Sequence, residues 1–170
     1  MCFMSKITFD NNFNKILTFY LFECPVEKVS RRGQTFKQIG WKGSSRFQML
    51  ERLLKGASGI SDERWQILDS SSEVEKRSSS IQRNEQFLFS DISRGRVQTF
   101  IYSIRNAFAH GSFDIIVHND EKYYYFENDY CGNMRSRLLL SEQTLLRWYE
   151  IIRTRPEFLT KKSKVKLNKR

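Results

Sequence analysis

The spacing of the apolar residues changes abruptly at Gly111, and this change constrains the fold more than any other feature of the sequence. Before the glycine, apolar side chains recur every three or four positions, which predicts a helix over 91–110 with Asp91 as its N-cap. After it, the segments 113–117 and 123–127 are rich in β-branched and aromatic residues, which predicts two strands joined by a turn. Because glycine commonly ends a helix, the sequence predicts a helix that leads directly into a hairpin.

Similar periodicity predicts further elements on both sides of this junction. Helices are expected over 8–23 and 45–55 and after Ser141. A third helix, capped by Ser61 or Asp62, is expected to carry Trp65, Ile67 and Leu68, and a third short strand is expected over 136–140. The serine-rich segment 69–80 is either a mobile linker or the solvated end of the third helix. Together these patterns predict a mainly α protein, an antiparallel bundle of four to five helices with a small β-hairpin or three-stranded appendage before the last helix. A single domain over 1–160 is expected, followed by a basic, disordered tail over 161–170.

The balance of charge and apolar content narrows the classes of partner and of environment. The 170 residues carry a net charge of +10, so a polyanion is the first partner to consider, with nucleic acid and an anionic membrane surface both open. Hydrophobic residues make up 39%, which is too high for a disordered chain. Three widely spaced cysteines match neither a zinc site nor a disulfide framework and favour a reduced setting. No apolar run approaches the length of a membrane span, so a soluble cytoplasmic protein with no membrane partner is expected.

Arg105, Asn106 and His110 are the residues of the predicted helix that are best suited to catalysis. Asn106 and His110 lie about 40° apart on an ideal helix and share a face, whereas Arg105 lies about 140° from His110 and must reach around. Histidine transfers protons near neutral pH, arginine binds phosphate, and an amide can orient the imidazole or a ligand oxygen, so the set suits cleavage of RNA without a metal. Taken alone, however, the spacing favours a structural role, because Arg and His near a helix C-terminus stabilise the helix dipole.

The same three residues carry a resemblance to a known family. With four residues between Arg105 and His110, and with Asn106 directly after the arginine, the motif resembles the Arg-x(4–6)-His signature of the HEPN superfamily. The resemblance covers about 95–153, while over 8–90 it extends only to the order of the helices. It implies a four- or five-helix core and a metal-independent endoribonuclease of toxin–antitoxin, phage-defence or CRISPR systems. It also implies an active site formed by two motifs across a homodimer, and an antitoxin or regulatory protein as a further partner.

One position departs from a subgroup of that superfamily. HEPN toxins of this subgroup carry a tyrosine two residues after the histidine, which a partner nucleotidyltransferase modifies, whereas this sequence has Ser112. Inhibition through such a tyrosine is therefore not expected. No cofactor or metal is expected either, because the sequence contains no glycine-rich phosphate loop and no cluster of residues with metal-ligand spacing.

A second group of residues offers weaker signals for RNA binding. Tyr123 and Tyr125 have aromatic faces that suit base stacking, and Arg135 and Arg137 suit phosphate contacts. For the tyrosines, packing of the rings on a core is favoured over base stacking. For the arginines, simple solvation is an equal alternative to phosphate contacts. The basic tail can add salt-sensitive contacts through its lysines, which include Lys161, Lys162 and Lys164.

These observations lead to one principal hypothesis and one alternative. The principal hypothesis is a homodimeric, metal-independent endoribonuclease in which the 2′-hydroxyl of RNA attacks the adjacent phosphorus, which leaves a 2′,3′-cyclic phosphate and a 5′-hydroxyl. His110 is expected to act as acid or base, Arg105 to bind the scissile phosphate, and Asn106 to orient the histidine or the phosphate. The alternative is a non-catalytic dimerisation module that binds RNA or a protein.

Overall fold

The computed structural model describes residues 10–26, 34–82, 84–92 and 95–159. Within these ranges it contains five helices of eight residues or more and five strands, with a π-helical turn at Phe19–Glu23 and a 3-10 turn at Asp62–Arg64. The helices are α1 (Asn11–Thr18), α2 (Ser44–Ser58), α3 (Ser71–Ser79), α4 (Arg96–His110) and α5 (Glu142–Arg153). The strands are β1 (Trp65–Ile67), β2 (Phe87–Ser90), β3 (Phe113–His118), β4 (Glu121–Tyr130) and β5 (Asn133–Ser141).

A five-stranded mixed sheet organises the fold, in the order β1-β2-β5-β4-β3. The strands β1 and β2 are parallel, and every other neighbouring pair is antiparallel. Of the described residues, 51% are helical and 23% are in strands, so this is an α/β fold, and the predicted mainly α bundle is wrong. What was expected to be a small β appendage is the larger part of a central sheet.

Two strands that the sequence patterns do not predict account for this difference. The helix expected through Trp65 is instead a 3-10 turn followed by β1, and β2 has no counterpart in the prediction. All four residues of β2 are buried, so its apolar run shows no alternation and is too short to distinguish a strand from a helix. The serine-rich segment is neither a linker nor the end of a preceding helix, because Ser70 caps a separate helix, α3.

Helix α4 begins later than predicted and ends where predicted. Its N-cap is Gly95 rather than Asp91. At its other end, Gly111 adopts a left-handed conformation with a φ of 69°, and the N–H of Ser112 donates to the carbonyl of Ala107 at 2.9 Å. This hydrogen bond closes the helix at a residue whose conformation favours glycine, and it turns the chain into β3.

The two faces of the sheet are covered unequally. Alternation along β4 places Tyr124 and Phe126 in one cluster with α1, α2, α4 and α5, whereas Tyr123 packs with α3 on the opposite face. The larger cluster includes all three tryptophans of the chain. Three buried aromatic side chains tie this helical layer together by donating to backbone carbonyls: Tyr20 to Leu145 at 2.9 Å, Trp41 to Ile152 at 3.1 Å and Trp148 to Leu54 at 2.9 Å.

Two tight turns connect the last three strands. Asn119 and Asp120 join β3 to β4 with φ values of 50° and 62°, and Cys131 and Gly132 join β4 to β5 with values of 52° and 77°. Positive φ at both central residues is the type I′ arrangement that matches the twist of paired strands. The predicted hairpin and third strand are confirmed, and all three strands run longer than predicted.

The helix predicted over 8–23 is confirmed from residue 11 onward, as α1 and the π-helical turn that follows it. Its first two predicted residues lie outside the described ranges, and so does the predicted basic tail with Lys161, Lys162 and Lys164. Within the described ranges, no helix is both long and apolar enough to cross a membrane.

Asp10 stabilises the start of α1 through two separable interactions. One carboxylate oxygen accepts from the N–H of Phe13 at 2.8 Å, and the other pairs with Lys122 of β4. The hydrogen bond from Lys122, together with that from the Phe13 backbone, holds the pKa of Asp10 below its ordinary value. Asp10 is therefore both the N-cap of α1 and a link from this helix to the sheet.

We expect Asp10→Ala to lower the free energy of unfolding by about 1 kcal/mol, because it removes the N-cap. Asp10→Asn keeps a capping oxygen and is expected to lose less. Because the folded-state pKa is lowered, the contribution of the charged carboxylate is present above the ordinary aspartate range and is lost as the pH falls through the folded-state pKa. Urea unfolding from about pH 7 to about pH 2 measures this. An advantage of the wild type over Asp10→Asn that does not shrink in acid would contradict the ion pair.

Candidate functional site

A groove lies where the C-terminal end of α4 meets the β4–β5 hairpin, and its volume is about 570 Å³. This volume falls in the range of sites that bind small ligands. The groove is lined from α4 by Tyr102, Asn106 and His110, and from the hairpin by Asn128, Tyr130 and Arg135. It therefore contains two of the three residues predicted to carry catalysis and one residue predicted to contact phosphate.

Helix geometry brings the α4 residues to the groove. Tyr102, Asn106 and His110 are spaced four apart, so they form one stripe along the helix. The opposite side of the helix, which includes Ile104 and Phe108, is buried in the core and fixes the rotation of the helix about its axis. His110 is exposed in the last turn, and among the described residues its imidazole has no hydrogen-bond partner, so both ring nitrogens are open to a ligand.

Arg105 does not line the groove. It is half-buried, and it lies close enough to the buried Cys24 to affect that thiol. Burial raises the pKa of the Cys24 thiol to about 11, and the charge of Arg105 acts in the opposite direction. The Nη1 of Arg105 donates to the Oδ1 of Asn106 at 3.4 Å, while its buried Nε has no hydrogen-bond partner among the described residues. Arg105 is thus coupled to the groove through the amide of Asn106, in keeping with its predicted angle from His110.

Arg135 reaches the groove because of a β-bulge. The partner of Asn128 is Ser136, while the partner of the following residue on β4 is Met134. Arg135 is therefore an extra residue on β5, and a bulge of this kind redirects the side chain that it contains. Met134 accordingly packs on the α3 face, Ser136 faces α4, and Arg135 is turned into the groove.

Asp91 holds Arg135 through both its side chain and its backbone. The Nε of Arg135 donates to the carboxylate of Asp91 at 2.7 Å, and the N–H of Asp91 donates to the carbonyl of Arg135 at 3.0 Å. The Asp91 side chain is 12% exposed, whereas that of Arg135 is 40% exposed. None of the other described residues accepts from the two Nη groups of Arg135. The ion pair therefore orients the guanidinium and leaves its outer edge available.

Asn128 joins the two walls of the groove. Its Nδ2 donates to the carbonyl of Ser103 in α4 at 2.9 Å and to the Oγ of Ser136 in β5 at 2.8 Å. Ser103 and Ser136 are fully buried. Because a buried polar group without a partner is costly, this bridge fixes the position of α4 over the sheet.

Two acidic residues of β4, Glu127 and Asp129, line the groove, and each carboxylate has a hydrogen-bond partner. That of Glu127 is held on the α3 side, where it accepts from Arg137 at 2.9 Å and from Tyr125 at 2.7 Å. That of Asp129 accepts from the N–H of Gly132 in the turn at 2.9 Å. In the part of the chain that the structure describes, no three His, Cys, Asp or Glu side chains are grouped as metal ligands.

Tyr123, Tyr125 and Arg137, which the sequence suggests as RNA contacts, lie on the α3 face of the sheet and away from the groove. The ring of Tyr123 is buried, and Arg137 donates to the Oγ of Ser78 at 3.2 Å in addition to its ion pair. Burial, followed by the hydrogen bond to Glu127, raises the pKa of Tyr125 well above its ordinary value. These side chains are engaged within the protein, which agrees with packing on a core rather than with base stacking.

The sequence-based prediction of the site lacks the bridging residue Asn128, and it also lacks Tyr102, Tyr130 and the bulge. Tyr102 has a signal, because it lies four residues before Asn106 and so belongs to the same helical stripe. Tyr130 has a weaker one, since it directly precedes the turn residues Cys131 and Gly132. Extending both strands to that turn places Tyr130 and Arg135 on neighbouring strands, whereas the bulge itself has no mark in the sequence.

Comparisons of the chain with family models, with curated proteins and with solved structures found no match. Function is therefore inferred from the groove itself. Its components are a proton-transfer group in His110, an amide in Asn106 and a cation in Arg135.

We expect Asn128→Ala to lower the free energy of unfolding by about 2 kcal/mol, because it leaves the buried hydroxyl of Ser136 without its partner and removes the bridge to α4. Asn133→Ala is the matched control, since it makes the same truncation at an exposed position next to the turn. It is expected to change stability by no more than about 0.5 kcal/mol. Urea denaturation followed by tryptophan fluorescence measures both. Equal stability of the two variants would show that the bridge does not hold α4.

Proposed function

We propose that this chain is a metal-independent endoribonuclease. The observation that carries the proposal is that His110 opens into the same groove as Asn106 and Arg135. A proton-transfer group, an amide and a cation in one groove suit cleavage of a phosphodiester by acid–base and electrostatic catalysis. The resemblance of the Arg105–His110 spacing to the HEPN motif is a second support, and with it we propose the toxin or phage-defence setting in which such enzymes act.

In the proposed reaction, the 2′-hydroxyl of RNA attacks the adjacent phosphorus, and the bond from phosphorus to the 5′-oxygen breaks. A base removes the proton of the 2′-hydroxyl, and an acid protonates the leaving 5′-oxygen. His110 serves as one of these two groups, and its exposed imidazole is accessible to a bound RNA. The products are a 2′,3′-cyclic phosphate end and a 5′-hydroxyl end.

Asn106 and Arg105 act as positioning groups in this proposal. Arg105 engages the amide oxygen of Asn106 at 3.4 Å, which leaves the amide N–H groups to donate to a phosphate oxygen or to the imidazole. From this position Arg105 contributes positive charge next to the amide rather than a direct contact with the scissile phosphate.

The active form in this proposal is a homodimer with a composite site. One His110 per chain supplies one proton-transfer group, whereas the reaction works best with both an acid and a base. A two-fold axis beside the exposed end of α4 brings a second His110 to the groove and supplies the missing group.

A non-catalytic binding module is the second candidate function, and one observation favours it. Arg105 lies outside the groove, so a single chain does not bring together all three residues of the sequence motif. A module of this kind binds RNA in a salt-sensitive manner, or binds a protein, and yields no cyclic phosphate.

Removal of the His110 imidazole tests the proposed activity. We expect the wild type to cleave single-stranded RNA in the presence of EDTA and His110→Ala to be at least about 100-fold slower, because it loses acid–base catalysis. His118→Ala is the control, since it removes the chain's other histidine, which is exposed at the end of β3, and it should keep the wild-type rate. Mass spectrometry identifies the product ends. Equal cleavage by the wild type and His110→Ala contradicts the proposal, and RNA binding without cleavage by either favours the binding module.

Mixed dimers test the composite site. When the wild type is co-expressed with His110→Ala, a site that needs a histidine from each chain is intact only in wild-type homodimers. We therefore expect activity per total protein to fall as the square of the wild-type fraction. A linear fall, or a monomer by light scattering under assay conditions, would contradict the composite site.

A further inference from the structure

We infer that the groove at the end of α4 is a nucleotide subsite, in which Arg135 binds a phosphate of the RNA and the ring of Tyr130 stacks on a base. The inference rests on the proposed function and extends it from the reacting groups to the part of the substrate that the groove holds. It is carried by the bulge on β5, the ion pair with Asp91 and the exposure of Tyr130.

Arg135 is oriented in the way that phosphate recognition requires. Its Nε is taken by Asp91 at 2.7 Å, and its two Nη groups have no acceptor among the described residues. A guanidinium binds phosphate best through two parallel N–H groups. Because Asp91 holds the Nε side of the planar guanidinium, the two Nη groups are left as a rigid pair of donors. A partly exposed ion pair adds little stability, so the main effect of the Asp91–Arg135 contact is orientation.

Tyr130 offers the aromatic surface that a base needs. Its side chain is 69% exposed, although it is the last residue of β4 and borders the groove. Stacking of a nucleobase on such a ring tolerates any sequence, because every base has a π-face. By contrast, Tyr123 and Tyr124 of the same strand are buried and cannot stack on a ligand.

The two walls of the groove carry different groups: those that bind the nucleotide and those proposed to take part in the reaction. The hairpin wall carries Tyr130 and Arg135, while the α4 wall carries Asn106 and His110. A nucleotide that rests its base and phosphate on the hairpin wall turns its ribose toward α4, which brings the 2′-hydroxyl to the side of His110. The groove volume of about 570 Å³ admits a ligand of this size.

Binding of a short single-stranded DNA tests the subsite separately from cleavage. A fluorescein-labelled oligonucleotide of about six nucleotides has the phosphates and bases of RNA but no 2′-hydroxyl, so the proposed reaction cannot cleave it. Fluorescence anisotropy at several salt concentrations gives its affinity for the wild type and for each variant. Arg135→Gln and Arg137→Gln remove the same charge on opposite faces of the sheet, so a difference between them reports the location of the charge rather than its sum.

We expect Arg135→Gln to bind about tenfold more weakly, with the salt dependence reduced by about 0.7 in slope for one lost phosphate contact. Arg137→Gln should stay within about twofold of the wild type, since its guanidinium serves Glu127 and Ser78 on the other face. Tyr130→Leu should weaken binding about tenfold and Tyr130→Phe should not, because only the first loses the π-face.

Thermal melting checks that each variant is folded, and Arg135→Lys, which keeps the charge, should recover part of the affinity. If Arg135→Gln and Tyr130→Leu bind like the wild type, or if the wild type does not bind the oligonucleotide, the inference is overturned whether or not RNA is cleaved. If these two variants lose binding while the wild type leaves RNA intact, the subsite stands and the ribonuclease proposal fails.

Discussion

Three hydrogen bonds from buried aromatic side chains to backbone carbonyls hold the helical layer together, and the remaining structure depends on this layer. Tyr20, Trp41 and Trp148 each bury a polar group in an apolar core, where a donor without an acceptor is costly. Burial also raises the pKa of Tyr20, so its phenol stays a neutral donor. The three bonds tie α5 to the π-helical turn, to Trp41 in the segment before α2, and to α2 itself. The sheet therefore packs against a layer in which these elements are fixed relative to one another.

The groove is assembled from two walls that are fixed independently. On one side, burial of Phe100, Ile104 and Phe108 sets the rotation of α4, which directs the stripe ending at His110 outward. On the other, pairing of β4 with β5 would direct Arg135 away from α4 if the strands alternated regularly, and the bulge reverses this. Asn128 then joins the walls through two hydrogen bonds. Because these contacts hold the groove in place before a ligand binds, little binding free energy is lost in ordering the groove.

The parts of this arrangement that depend on neighbouring residues could be predicted from the sequence, whereas those that depend on pairing of distant strands could not. The left-handed Gly111 and the Ser141 cap act within a few residues, so the end of α4 and the start of α5 follow from the sequence. The strand β2 has no such signal, because its pairing with β1 and β5 joins segments far apart in the chain. For this reason the predicted fold class was wrong. In the site, helical periodicity alone places Asn106 with His110 and separates Arg105 from them. The position of Arg135 depends on a bulge in strand pairing, which periodicity cannot reveal.

In the proposed function, the net charge and the groove would act on RNA over different distances. The chain has 29 basic and 19 acidic residues, and such an excess attracts a polyanion and raises the rate of encounter. Screening reduces this attraction beyond about 10 Å at 0.1 M salt, so it selects no particular phosphate. Inside the groove, the charge of Arg135 is balanced by Asp91, which leaves little net charge at the point of contact. In the proposed function, affinity for RNA as a whole would therefore come from the overall charge, whereas short-range contacts with one phosphate and one base would select the bond placed beside His110.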